Sequence, residues 1–353
     1  HWVSIGTGDL EAALDFWVAR LGFECVARVE GDDPGLRQHW GLPDQHVARQ
    51  AMVRSPAAAH GGMHIVEWAA PTESVRGNAQ VFDLCPKNLD IYVDDLPARM
   101  AQLADQGVVF RNEHYSEAVS PDGVHFREIH LAGHDDINIV LLQVIGSDTL
   151  IPPTGFSGVG PLVCIVGEPK EEKRFYEQVV GLKLSHDNIL AGPDIEQMIG
   201  LPAGCALEVS IWAEPGQPLG EVELVTYQGT DGADLYPRAR PGARGVTHLN
   251  WQVDNIEAFA AHLSAHGVDH SASTINGSLI QSRASLIFHS RRASVRGAPE
   301  TVVQQRVVSA VCLLTAHPFR LGLPASLAPV IRQVLCPFYN PPGVAWVISI
   351  VGR

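Results

Sequence analysis

The sequence predicts an α+β protein built from four β-α-β-β-β modules in two tandem halves. Three observations carry this. The run Phe16-Trp17-Val18-Ala19-Arg20-Leu21-Gly22-Phe23 returns 159 residues later as Phe175-Tyr176-Glu177-Gln178-Val179-Val180-Gly181-Leu182. The same offset takes Gly41-Leu42-Pro43 onto Gly200-Leu201-Pro202 and Pro56 onto Pro215. At an offset of 160, Val93-Asp94-Asp95-Leu96 matches Val253-Asp254-Asn255-Ile256, and Gly107-Val108 matches Gly267-Val268. Finally, each half holds two similar parts: a short apolar strand, an acidic or Asn turn, a helix and a glycine.

In the first module a strand near residues 2–5 precedes Asp9, a residue type that caps helix starts, and the helix reaches about Leu21 before Gly22. The second opens with a strand over 89–93, takes Asp94 or Asp95 as cap and stops at Gly107. The third runs from a strand at 162–166 to Gly181, and the fourth from 249–253 to Gly267. Short β-type segments follow the helices, as at 63–67, 137–142 and 222–226. Pro, Gly and polar residues mark linkers at about 71–80, 147–158 and 228–243. These boundaries predict a first half over 1–146 (modules 1–70 and 80–146) and a second over 158–305 (modules 158–228 and 244–305).

The tail, 306–353, is atypical. From Ser271 to Arg353 the sole acidic residue is Glu300, in a chain with 39 acids. An added tail and a shifted reading frame both account for this, and an irregular appendage is expected.

Charge excludes several function classes. A formal net charge of -14 argues against a nucleic-acid partner and against docking to an anionic membrane. No apolar run is as long as a membrane span, and no basic segment followed by an apolar one suggests a secretory signal. The chain starts at His1 rather than Met, which leaves room for upstream residues. The six cysteines form no CxxC pair, so zinc-ribbon and thioredoxin-like readings have no support, and scattered reduced thiols suit a cytoplasmic protein. Gly6-Thr7-Gly8 lacks the third glycine of a dinucleotide loop, so no nucleotide cofactor is expected. Homo-oligomerisation stays open.

Asp9-Leu10-Glu11-Ala12-Ala13-Leu14, followed by Phe16-Trp17 and Leu21-Gly22-Phe23, resembles the opening of a vicinal-oxygen-chelate module. That superfamily includes glyoxalases, extradiol dioxygenases and bleomycin-resistance proteins. Val246-Thr247-His248 through Val253-Asp254 resembles the strand that opens another module, and the resemblance covers residues 1 to about 305. It implies that paired modules wrap a curved sheet into a cup, giving two cup-like barrels in tandem. It also implies a divalent metal (Fe, Mn, Ni or Zn) held by His, Glu or Gln from the first and last strands of the modules.

Mapped residue by residue, the opening-strand ligand position is His248 in the fourth module, Asn88 in the second, Pro161 in the third and Trp2 in the first, with His1 one step away. The closing-strand position is Glu223 in the third module, His64 in the first, Val140 in the second and Glu300 in the fourth. The resemblance therefore implies a metal set of Glu223, His248 and Glu300 in the second half. Pro161 departs from the 2-His-1-carboxylate pattern of the dioxygenases. Strand alternation independently puts His248, Asn250 and Gln252 on one face, opposite Leu249, Trp251 and Val253, and groups Asn88, Asp90 and Tyr92 likewise. Asn250, Trp251 and Gln252 are the expected substrate contacts. A second cluster, His125, Glu128, His130, His134 and Asp135, reads as a metal site or as a polar loop and edge strand.

Two functions follow from the resemblance. One is a metal-dependent lyase or dioxygenase acting on a small vicinal-oxygen substrate in the second cup. The alternative is a metal-free module that binds or sequesters a small molecule, as bleomycin-resistance proteins do.

Overall fold

The computed structural model describes residues 2–291, 305–313 and 345–352, apart from positions 57, 71–72, 148–150, 218, 254 and 280. Module one comprises β1 (Trp2–Thr7), α1 (Leu10–Leu14) running into a π-turn (Asp15–Arg20), β2 (Glu24–Glu30), α2 (Pro34–Trp40), β3 (Val47–Arg54) and β4 (Gly62–Trp68). Module two has β5 (Pro86–Val93), α3 (Leu96–Asp105), β6 (Ser116–Val119), β7 (His125–Ala132) and β8 (Asn138–Val144). Module three repeats the first: β9 (Phe156–Ile165), α4 (Pro169–Arg174) with a π-turn (Phe175–Val180), β10 (Lys183–Ala191), α5 (Pro193–Ile199), β11 (Ala206–Ala213) and β12 (Val222–Gln228). Module four has β13 (Gly245–Val253), α6 (Ile256–Ala265), β14 (His270–Asn276) and β15 (Gln281–Arg291), and is extended by β16 (Gln305–Leu313) and β17 (Ala345–Gly352).

The expected helix starts form for the expected reason. Asp9 accepts from the Glu11 and Ala12 amides, Asp95 from Ala98 and Asn255 from Ala258, each satisfying donors that a first helical turn leaves open. Gly22, Gly107, Gly181 and Gly267 all have φ between +67° and +88°, a region costly for any residue with a Cβ.

Four modules do pair into two curled sheets. Sheet one has the order β14-β15-β16-β17-β13-β1-β4-β3-β2, and sheet two β10-β11-β12-β9-β5-β8-β7-β6. Module one thus pairs with module four through the antiparallel β1–β13 ladder, and module two with module three through β5–β9. The sequence halves are therefore not the units of the sheets. Two linkers carry the chain between the sheets, and they run side by side. Val75 N donates to Arg244 O (2.9 Å), Leu84 N to Ala233 O (2.8 Å) and Leu235 N to Leu84 O (2.9 Å). Val75, Cys85, Leu235, Ala239 and Ala243 form a small core beneath them. This answers where the backbone groups of irregular segments go when they cross a protein interior.

The tail corrects an expectation. Rather than an irregular appendage, β16 and β17 are regular strands, with β17 laddered to β13 from His248↔Val351 to Val253↔Trp346. The main core draws on all four modules: Trp17 and Leu21, Leu96 and Leu103, Phe175 and Tyr176, Ile256 and Leu263 from the helices, against Ile5, Ile91, Leu162 and Leu249 from the strands. Burying such side chains is the dominant favourable term in folding. The polar strand faces, turned the other way, line the two cups. The four cysteines whose side chains are described form no disulfide among themselves, and Cys85, Cys164 and Cys205 are buried. No described helix is long and apolar enough to cross a membrane.

Candidate functional site

In sheet one, Ser4 lies between His64 on β4 and His248 on β13, each its direct partner in the adjoining ladder. Neighbouring strands are about 4.8 Å apart, so the two histidines flank β1 on one polar face. They are 0% and 2% exposed. Hydrogen bonds fix both tautomers. Gln50 donates its amide to Asp33 (2.9 Å), so its carbonyl oxygen accepts from His64 Nε2 (2.9 Å). Thr247 donates its hydroxyl to Ser4 O (3.1 Å), so its oxygen accepts from His248 Nδ1 (3.0 Å). The remaining nitrogens, Nδ1 of His64 and Nε2 of His248, are buried lone pairs with no partner among the described residues. Burial pushes His64 down to about 4 and His248 well below its usual value, with His64 and His39 adding to the second shift. Trp40, from the end of α2, packs on both rings, 6.1 Å and 5.2 Å between centroids.

Sheet two curls around a cavity of about 160 Å³. Val163, Leu207, Val209, Ile211 and Val225 form an apolar wall, and Met198 and Ile199 of α5 contribute from one end. Against this wall stand Lys87, Asp90, Glu128, Glu223 and Tyr227. Lys87 donates to the Tyr227 hydroxyl (2.5 Å), His130 Nε2 pairs with Glu128 (2.9 Å), and Asn88 donates to one oxygen of Asp90 (2.5 Å). Glu223 has no hydrogen-bond partner among the described residues. Burial, with Glu128 nearby, pushes Glu223 up to about 8, and burial with Glu223 and Glu128 raises Asp90 well above the usual carboxylate range. Burial, aided by Arg76, lowers Lys87 to about 8. Glu221, which accepts from the Tyr92 hydroxyl (3.0 Å), is pushed up to about 7 by burial. At the rim Asp122 faces His186 across 3.3 Å, closing the gap between the two edges of the sheet.

Of the three residues expected to converge on a metal, two lie in different sheets. Glu223 is on β12 in sheet two and His248 on β13 in sheet one, so module pairing sends them to different cups. Glu300 lies outside the described residues. Among the described residues no group of three His, Cys, Asp or Glu could hold a metal ion. Glu223 and His248 thus do not share a cup; the two histidine lone pairs of sheet one are a partial set, one donor short of three among the described residues.

The expected substrate contacts divide as well. Asn250 is 2% exposed and spends its amide on Trp2 O (3.1 Å) and Ser4 Oγ (2.9 Å), stapling β13 to β1. Trp251 takes the opposite face and packs in the core against Tyr176, 6.2 Å between centroids, so it is a packing residue. The Gln252 side chain lies outside the described residues. In the second cluster Glu128 and His130 do share a face, but His134 turns into the core and accepts from Trp17 Nε1 (3.2 Å). Lys87 and Tyr227 escaped sequence reasoning. Tyr227 continues the period-two face of Glu223 and Val225 and was findable. Lys87 was not, because it joins Asn88 at the cavity only through a register shift between Pro86 and Asn88 in the β5–β9 ladder.

The geometry defines a class: paired βαβββ modules whose curled sheets enclose buried polar faces. Residues 1–117 match the profile of the Glyoxalase/Bleomycin resistance protein/Dioxygenase superfamily. A mutant form of glyoxalase I from Zea mays shares the fold at a TM-score of 0.53 and 13% identity, over 82% of this chain and 87% of that one. Unmutated glyoxalase I from Zea mays matches at 0.51 and 12%, over 87% and 86%. A candidate dioxygenase from Bacillus subtilis matches at 0.52 and 15%, over 82% and 80%. No curated protein matches. The superfamily profile thus covers the first module and part of the second, and the chain shares across its modules the fold of these solved structures.

Proposed function

We propose that the chain binds a small molecule in the cup of sheet two, without needing a metal there. The observation that carries this is the cavity itself: a concave space with an apolar wall and convergent ionisable groups, the usual make-up of a ligand site. Asp90 and Lys87 are buried in this wall and Glu128 and Glu223 are partly buried beside them, a gathering of ionisable groups that folding alone does not require. The test is a small-molecule screen on the full chain by ligand-observed NMR, with Leu207→Trp, which fills the cavity, as control. Binding abolished by the filling substitution supports the reading. Binding that persists in a folded L207W protein would sink it.

A second reading, a metal-dependent enzyme acting on a small vicinal-oxygen substrate, is favoured by one specific observation in the other cup. His64 and His248 present neutral, buried lone pairs that meet no donor among the described residues, on tautomers locked by their neighbours, as metal-ligating histidines do. A divalent ion bound there would act as a Lewis acid on substrate oxygens; Gln50 and Thr247 would hold the rings in place. Cobalt titration checks it: a visible absorption band at one equivalent, lost in His248→Ala, is expected. A spectrum unchanged by H248A would remove this reading.

A further inference from the structure

The chemistry of the sheet-two cavity narrows its ligand, an inference that rests on the binding reading above. Three carboxylates, from Asp90 on β5, Glu128 on β7 and Glu223 on β12, face one ammonium, that of Lys87. Lys87 does not neutralise them. Among the described residues it makes no ion pair within 4.0 Å; its Nζ is held at the wall by the Tyr227 hydroxyl and lies 5.0 Å from the Tyr227 ring centroid. Glu128 has His130, and Asp90, 5% exposed, has Asn88 on one oxygen alone. Its other oxygen and the whole carboxylate of Glu223 have no partner among the described residues. Both residues line the cavity, so a ligand that brings a donor meets these acceptors there.

We propose that the cavity takes a small organic ammonium, its charged head between Asp90 and Glu223 and its apolar body against Val163, Val209 and Ile211. A carboxylate ligand would add a negative charge to a site that already sets three acids against one ammonium. A neutral one would leave Asp90 and Glu223 without an ion-pair partner. A primary ammonium brings donors and the missing positive charge together. Size follows from the volume: an apolar cavity of roughly 150 Å³ accepts a benzene ring, so the body is about one six-membered ring or a comparable branched chain. Phe126 and Tyr227 in the lining add ring faces that attract cations.

The experiment titrates the full-length chain with cyclohexylammonium, cyclohexanol, cyclohexanecarboxylate, benzene and manganese by calorimetry, and repeats it with Glu223→Gln and Asp90→Asn. Cyclohexylammonium should bind at least tenfold tighter than cyclohexanol. In E223Q and D90N that preference should fall by a further tenfold or vanish, while benzene still binds and so reports a folded, open cavity. If cyclohexanol or the carboxylate binds as well as the ammonium, the charge argument fails and the cavity reading stands. If benzene binds and the ammonium does not, the result is the same. Manganese bound through Glu223 in preference to the ammonium would overturn the proposal in favour of a metal. If nothing binds, benzene included, both the proposal and the binding reading fall.

Discussion

At the scale of single residues the cavity acids make a pH prediction whose sign can be worked out. Glu223 is pushed up to about 8 from a usual value of 4.5, so the folded state holds its proton more tightly than the unfolded chain. Its contribution to stability is full below about pH 4.5 and is lost as pH rises toward 8. Asp90 shifts in the same direction. Lys87, lowered to about 8, is protonated in both states below that pH and so is silent in the same window. Urea unfolding should therefore show the protein weakening between pH 5 and 8. E223Q, which cannot ionise, should recover on the order of 1–3 kcal/mol at pH 8 and almost nothing at pH 5. A variant whose advantage is equal at both pH values would show that Glu223 is not a buried acid. The residues behind this were partly legible. Alternation marked Asn88, Asp90 and Tyr92 as one polar face and Glu223 as a site position. What could not be read is that these strands share a cup, because that depends on which edges meet.

At the scale of elements, α2 and α5 occupy equivalent places in modules one and three, each with Pro in its first turn and a left-handed glycine at its end. They meet their cups differently: Trp40 packs on His64 and His248 in the first, whereas the shorter Ile199 lines the cavity of the second. Their starts differ too. Asp33 caps α2 through the Leu36 amide (3.0 Å), and its second oxygen takes Gln50 (2.9 Å) and the Ser278 amide (2.7 Å). Asp33→Ala removes a cap worth about 1 kcal/mol and also leaves buried donors unmet, so a loss of roughly 2–4 kcal/mol is expected by urea unfolding. Asp9→Ala removes a cap on the exposed side of α1 and should cost about 1 kcal/mol. Equal losses would mean that the Asp33–Gln50–His64 chain contributes nothing. Asp9, Asp95 and Asn255 were legible as caps because a cap is a local signal. The π-turns at Asp15–Arg20 and Phe175–Val180 were not, since a single wide turn leaves the helical period of a short segment almost unchanged.

At the scale of the molecule, an internal repeat shows that modules are alike but not which of them pair. All four present similar opening strands, and an edge that accepts one could accept another. Here β1 meets β13 and β5 meets β9. The ligand positions inferred within one sequence half were consequently split between two cups. The connections add to this pairing: the linkers cross side by side, and Gly61, with φ +70°, passes so close to Val159 that its carbonyl accepts from the Val159 amide (2.9 Å). A Cβ at Gly61 would lie 2.3 Å from Val159 O. Each half thus completes a sheet begun by the other. If the chain is cut within 147–155 and residues 1–147 and 155–353 are produced separately, each piece exposes a long unpaired strand, β1 and β5 in one, β9 and β13 in the other. Alone, each should self-associate or aggregate. Produced together, they should form a 1:1 complex by size-exclusion chromatography with light scattering, and that complex should bind whatever the intact chain binds in the sheet-two cavity, which takes residues from both pieces. Two pieces that are each monomeric and cooperatively folded, and that ignore one another when mixed, would contradict the cross-half pairing of the sheets.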